Sequence, residues 1–430
     1  MHTKRGLEVT TDSWDVIDCI DQFHQQILGS GSNAELILEG AKKHSDNTLI
    51  QIYAAAYCLF AQEDKANRMA KAYLLAAGHS LANANPREQL LYDAVINWSL
   101  RNYNKALHML DNVIALYPRD TLALKFMEWL FYCTGQKHHA EYFLRVCARC
   151  AAENQDESHF LAIHSFALEL CGHYEHARNM AEAAIAMELV TPWAHHTLAH
   201  VALLTHDVEG GIKRLSSLQS SWNNIMPLLK GHNIWHLALF HLANRNGSDA
   251  MKLYPAIFGE LQDSVLEQID TISLLWRMDM AGMPHDELLM QIAKHLNKHP
   301  FEYYSGFSNA HSIYCLVKTG QKKLADDSLK RIASYANVTA TDSLWGEVVV
   351  PLCQGVAAFA DADYKKAYTL LSPIIDRSLQ VGGSDAQVEL FAQTYVQVLL
   401  KIKQKDKALH YFNQHLRHYQ NTVLGEWWFA

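Results

Sequence analysis

Histidines dominate the residues of this chain whose types and spacing could do chemistry. The run WAHHTLAHVALLTHD, residues 193–207, carries His195, His196, His200 and His206, and GHNIWHLALFHLA, residues 231–243, adds His232, His236 and His241. Thr191 suits an N-cap and Pro192 a first helical turn, so a helix is expected to begin just before Trp193. On it His196 and His200, four apart, share one face with Cβ atoms about 5–6 Å apart. His232 and His236 repeat the spacing on another helix. Two imidazole pairs on neighbouring helices could meet one divalent transition metal, zinc or iron, at roughly 2.0–2.2 Å. His195 and His241 point away from the pairs, and His206 falls at a helix end.

Two other readings compete with the metal. A neutral imidazole packs in a core while donating one hydrogen bond, and a polar ligand pocket can use imidazoles without any ion. The chain holds 25 histidines, so pairs four apart also arise by chance. Asp270, in EQIDTISLLW, and His311, in SNAHSIY, fall at a similar height on the next two inner helices, with Asn309 placed to orient His311. The candidate ligand-binding set is therefore Trp193, His195, His196, His200, His232, Trp235, His236, Asp270, Asn309 and His311. The candidate metal set is His196, His200, His232 and His236.

The elements that must position these side chains are repeats. NYNKALHMLDNVIALYP reads as the second helix of a tetratricopeptide hairpin: Tyr103 opens it, Ala106 lets the helices approach, and Pro118 closes it. Ala140 follows Ala106 by 34 residues, the tetratricopeptide period. Equivalent positions are expected at Ala34, Ala66, Ala177, Ile212, Ala250, Ala325, Ala367 and Ala408, with later spacings stretching to about 37–42 residues. One hairpin cannot cover its own apolar face, so each buries it against the next. The expected fold is all-α, an α-α superhelix: a tetratricopeptide-like solenoid of about ten or eleven helical hairpins, forming a single helical-repeat domain over residues 1–430. First helices should line a concave wall. GEVVVPL, residues 346–352, is the one short β-branched run, and Pro351 argues that it begins a helix, so no sheet is expected.

Composition narrows the function classes. Hydrophobic residues make up 49% of the chain and charged residues 19%, enough apolar material for a large core. With Lys+Arg at 37 against Asp+Glu at 45, the net charge of −8 supplies no polycationic surface, which argues against nucleic acid. The N-terminus lacks the apolar core of a secretory signal and no stretch reaches the length of a membrane span, so no membrane partner and a cytoplasmic location are expected. The eight cysteines lie scattered through helical patterns, as reduced core thiols do. Cys147 and Cys150 form a C-x-x-C pair with neither the βαβ context of a redox motif nor the second pair of a zinc site.

Two smaller signals remain. GGSDAQ sets Ser384 as an N-cap with Gln387 three later, a capping-box pattern behind two glycines that would let a ligand approach or hold an anion at the helix N-terminus. The terminal EWWFA carries Trp427, Trp428 and Phe429, too apolar to leave in water, and should fold back onto the last hairpin or cover a partner.

Five blocks, TPWAHHTLAHVALL…EGGIKRL, GHNIWHLALFHL, IDTISLLWRMDMAG, FSNAHSIYCLVKTG and GGSDAQVELFAQTYVQVLL, resemble the tetratricopeptide repeat protein 38 family in order and spacing, from about residue 90 to the C-terminus. The resemblance implies an all-helical cytosolic repeat protein and brings no settled activity with it. The family block after the double glycine usually reads Gly-Gly-Ser-His-Ala-Gln-Arg; Asp385 stands here in place of the histidine and Val388 in place of the arginine. The sequence thus points to a helical-repeat protein that binds a peptide, protein or small ligand in a His/Trp-lined concave pocket. The alternative is a metal-dependent enzyme or metal-binding protein built on the two histidine pairs, with a divalent transition metal as its cofactor.

Overall fold

A computed structural model describes residues 1–259, 262–339 and 343–430. Among these residues the chain is all-α: antiparallel helical hairpins follow one another with no strand, only the isolated bridges His2–Glu8 and Gly31–Ile225. It is a tetratricopeptide-like helical repeat. Residues 346–352 are helical as expected, a π-turn over Trp345–Val349 running into the helix Val350–Ala360. The wider turn fits Pro351, which has no N–H to give to an α-helical ladder.

One turn geometry recurs in the hairpins. Gln62, Arg101, Gly172, His206, Arg245, Gly320, Ala362 and Lys403 all have positive φ, and each stands two residues before a second helix begins. In seven of these turns the next N–H reaches back five residues to a carbonyl of the first helix, as from Asn102 to Asn97 or Asp207 to Ala202. These bonds satisfy carbonyls that the ending helix leaves orphaned. The second helix then presents a small buried residue at its fourth position: Ala106, Ala177, Ala250, Ala325, Ala367 and Ala408, as expected.

Four expected positions come out differently. At the fourth place of Val208–Leu218 stands Gly211, so the register set on Ile212 is shifted by one residue. A Cβ on Gly211 would lie 2.4 Å from the Phe240 ring, which is why the closest approach falls there and not at Ile212. In Asp64–Ser80 the position belongs to Asn67, whose amide donates to the Ser99 carbonyl, and not to Ala66. Ala140 opens its helix, and Ala34 precedes the helix Leu36–Lys43.

The chain forms two compact units: residues 1–133, 139–198 and 220–229 make the first, and residues 134–138, 199–219 and 230–430 the second. In the first unit, the helices Thr48–Leu59 and Ser158–Leu170 are buried on nearly every face. In the second the same holds for Val265–Met280, Gly306–Lys318 and Asp385–Lys401. These first helices therefore do not line an open wall. Val265–Met280 is covered by Asp385–Lys401, with Trp276 and Phe391 6.2 Å apart and Arg277 donating to the Ala386 carbonyl. A helix enclosed on all sides reads as apolar around its whole circumference, and the polar residues it does carry must be paired.

The C-terminal tail folds back inside the second unit. The helix Val423–Phe429 is capped by Thr422, and the Trp428 indole donates to the Met280 carbonyl at 3.1 Å. Trp427 stays half-exposed beneath the Arg245 guanidinium, 4.0 Å from its ring centroid.

Two predictions follow from packing. Gly211→Ala should destabilise the protein by about 1–3 kcal/mol in urea unfolding, since the new methyl meets the Phe240 ring; an unchanged midpoint would contradict the close approach. None of the eight cysteines is in a disulfide, and burial raises the thiols of Cys58 and Cys150 to about 11 and Cys353 to about 12. Alkylation of the native protein at neutral pH should label only the half-buried Cys19 and Cys171, with the rest reacting after denaturation.

Candidate functional site

The helix Pro192–Leu204 begins where the sequence places it, with Thr191 just ahead. The first unit holds three of the candidate residues. Trp193 is half-buried, its indole stacked on His196 at 4.6 Å and covered by the Lys125 ammonium at 3.8 Å. His195 is fully buried and its Nδ1 accepts the Trp222 indole N–H at 3.0 Å. Burial lowers this imidazole to about 4, so it is a neutral core side chain.

The other seven belong to the second unit, where four of them meet. His232 Nδ1 lies 2.7 Å from Asp270 Oδ2, and its Nε2 lies 3.2 Å from His236 Nε2. The His236 and His200 ring centroids are 4.6 Å apart. His200 Nδ1 in turn lies 3.0 Å from Asp385 Oδ1. The result is a row, Asp385–His200–His236–His232–Asp270, with a carboxylate at each end and three imidazoles between. His200, His236 and Asp270 are buried, and His232 keeps 13% of its side chain exposed. Trp235 is fully buried and stacks on His232 with a 15° interplanar angle.

The helix N-terminus at Ser384 completes the row. The capping box forms as the sequence suggests: Gln387 N–H donates to Ser384 Oγ, and Gln387 Oε1 accepts from the Ser384 N–H at 3.2 Å. The same amide donates through Nε2 to Asp270 Oδ1 at 2.7 Å, so both oxygens of the buried Asp270 carboxylate are used. Asp385, the first residue of that helix, accepts the Ala386 N–H at 2.8 Å. Burial acts to raise this carboxyl, but the His200 ring, Lys137 and the Ala386 N–H together hold it well below the usual carboxylate range. The helix N-terminus thus serves the protein's own carboxylate, as its dipole favours. The two glycines before it serve the turn, with φ of 101° and 90°. The space beside Gly383 is filled by the Phe307 ring, 3.0 Å from where a Cβ would stand.

Arg277 places a cation in the same region. It is buried, donates to Ser273 Oγ and to the Ala386 carbonyl, and lies 5.3 Å from the Trp235 ring centroid. Burial, reinforced by His200, His232 and Arg277, pushes His236 far below the ordinary imidazole value, so the middle ring is neutral.

His311 and Asn309 do not join the row. His311 Nδ1–H donates to the Phe307 carbonyl at 2.8 Å on its own helix, and the ring sits among Phe307, Trp276 and Phe391. Asn309 does not orient it: two residues apart on a helix, the side chains diverge, and Asn309 donates to the Glu302 carbonyl at 3.1 Å. The row ends on Asp385, which the sequence had marked only as a departure from the resembled family's pattern; Gln387, which it had assigned only to a cap, holds Asp270 from behind, and Arg277, which it had not singled out, lies beside them. The visible signal for Arg277 was a lone charge in the apolar run LLWRM.

No family model matches the chain. Among solved structures the chain is similar to a Rap protein complexed with competence and sporulation factor, at 10% identity over 89% of this chain and 99% of that one, with a TM-score of 0.42. It is also similar to aspartyl phosphate phosphatase F from Bacillus subtilis, at 12% identity over 97% of each chain and a TM-score of 0.37.

His311 gives a pH prediction. Burial lowers it to about 4 against an ordinary 6.5, with Arg277 pushing the same way and the Phe307 carbonyl and Asp270 opposing. The unfolded chain therefore binds a proton between these values that the folded chain does not, and stability should fall as pH drops from 6.5 towards 4. His311→Phe, which suits the aromatic surroundings, should flatten that slope by roughly 3 kcal/mol across the window. Urea midpoints of the two proteins that run parallel in pH would contradict a neutral buried His311.

Proposed function

We propose that this chain is a helical-repeat binding protein of the kind its sequence blocks resemble, the tetratricopeptide repeat protein 38 family, and that its ligand site is the imidazole row of the second unit. The ligand of this reading is a peptide or small polar molecule that reaches the row at His232. The observation that carries it is the exposure of His232, the one imidazole of the row that keeps solvent contact, with 13% of its side chain exposed; the Asp385 carboxylate at the far end is exposed to the same extent. Asp270 and Gln387 fix that ring from behind, and Trp235 supports its face. A ligand would thus meet an oriented imidazole, losing little entropy to align it. Trp193, His195 and His196, in the first unit, have no part in this reading.

Such a site favours amide or hydroxyl groups, which pair with an imidazole whether it donates or accepts, and peptide carboxylates where the ring donates. The chain has no described helix long and apolar enough to cross a membrane. Cysteines outside any disulfide fit a reducing, cytoplasmic location, which belongs to the same proposal.

Selection of random peptides displayed on phage against the full-length protein, with counter-selection on His232→Ala, tests the site. The expected outcome is peptides whose affinity falls at least about tenfold in His232→Ala, the loss of one hydrogen bond to an oriented group. Peptides that bind both proteins equally would place the ligand elsewhere.

A further inference from the structure

Three successive hairpin turns gather lysines along one edge of the second unit. The turn into Lys322–Val338 carries Lys318, Lys322 and Lys323, and the turn into Tyr364–Leu371 carries Lys365 and Lys366. The turn into Lys405–His415 carries Lys401, Lys403, Lys405 and Lys407. These turns are neighbours in space: Lys322 Nζ lies 2.6 Å from Asp361 Oδ1 in the second turn, and Lys407 Nζ lies 5.8 Å from the Tyr368 ring centroid on the helix that the second turn opens. Against these nine lysines the turns hold three aspartates, Asp361, Asp363 and Asp406. Asp361 is engaged by Lys322, and Asp363 accepts the Lys366 N–H as a cap. Lys318 pairs with Asp279, and Lys405 donates to the Phe429 carbonyl. Lys323, Lys365, Lys366, Lys401 and Lys403 are exposed and make no ion pair among the described residues. The next helical turn sets Asp326 and Asp327 against Lys330 and Arg331 and leaves the balance as it was.

Helix stability does not explain these positions. The dipole of a helix opposes a cation in its first turn, and second helices earlier in the chain carry Asp64, Glu141, Glu175, Glu209 or Asp249 there. Overall charge does not explain them either. The second unit is neutral, with 22 Lys and Arg against 22 Asp and Glu, and the chain's −8 falls on the first unit. The edge is also separate from the imidazole row: Lys401 closes the helix that Asp385 opens, about 24 Å away at 1.5 Å per residue.

We propose that this lysine edge docks an extended acidic segment, rich in Asp and Glu, of a partner protein. Neighbouring helices pack about 8–10 Å apart, so three turns span roughly 20 Å, a length that about six extended residues cover. Carboxylates suit the edge better than phosphates do, because it holds no arginine, whose planar fork grips a phosphate through two hydrogen bonds. A nucleic acid or an anionic bilayer also presents its charge to the whole chain, whose net −8 opposes it. A short acidic segment meets only the edge, within a Debye length of about 8 Å.

The test is fluorescence anisotropy of a labelled octapeptide of alternating Asp and Glu, titrated with the full-length protein at roughly 50 mM salt. Binding is expected, weakening severalfold as salt is raised to about 200 mM. The double variants Lys365→Glu with Lys366→Glu, and Lys401→Glu with Lys403→Glu, should each weaken it at least about tenfold, since every reversal turns an attraction into a repulsion. All four side chains are exposed, and circular dichroism checks that the variants fold. Lys65→Glu with Lys71→Glu, on exposed positions of the first unit, changes the net charge equally and should leave the affinity within about twofold. No binding of the peptide overturns the proposal, as does an equal loss in the Lys65 and Lys71 variant, which would mean that net charge alone is read. Vesicles of phosphatidylserine and phosphatidylcholine, or a single-stranded oligonucleotide, held more tightly than the peptide would overturn the acidic protein segment as the occupant.

Discussion

The structure depends on how closely the two helices of each hairpin can approach. A small residue at the fourth position of the second helix, six alanines and Gly211, sets that distance. The left-handed residue two places before the helix aims it back along its partner. Neither feature suffices alone. The turn directs the chain, and the small residue lets the helices meet so that apolar side chains on both can be buried together.

Close packing of hairpins explains why the polar row forms at all. Val265–Met280 is enclosed by its neighbours, so Asp270 and Arg277 are removed from water and must be satisfied inside the protein. Desolvating an ionised side chain costs several kcal/mol unless partners compensate. Asp270 is met by His232 and by Gln387, and Arg277 by Ser273 and a backbone carbonyl. Gln387 links the two problems, since one amide both caps its own helix and donates to the buried carboxylate. The row is thus a consequence of the fold's enclosure as much as a candidate site, and its single part-exposed ring, His232, together with the part-exposed Asp385 carboxylate gives it its contact with solvent.

Asp385 takes on a physical meaning in this setting. A histidine at that position would face His200 as a second imidazole. The aspartate instead faces it as a carboxylate, and the N-terminus of its own helix stabilises the charge.

Sequence alone determined what depends on local periodicity and composition. The all-α class, the second helices of most hairpins, the capping box at Ser384 and the i,i+4 pairing of His232 with His236 are all local relations, written in residues a few positions apart. The turns were mostly hidden, because only two of the eight left-handed positions are glycine and the others rest on hydrogen bonds that any side chain tolerates at some cost. The one-residue shift from Ile212 to Gly211 was likewise invisible, since either residue fits a helix and only the Phe240 ring chooses between them. Tertiary structure decided the rest. It separated His195 from His200, joined Asp270 to Gln387 across 117 residues of chain and set Asp385 against His200. Spacing along a helix fixes which side chains share a face, but which face meets which is set by the packing of helices far apart in sequence.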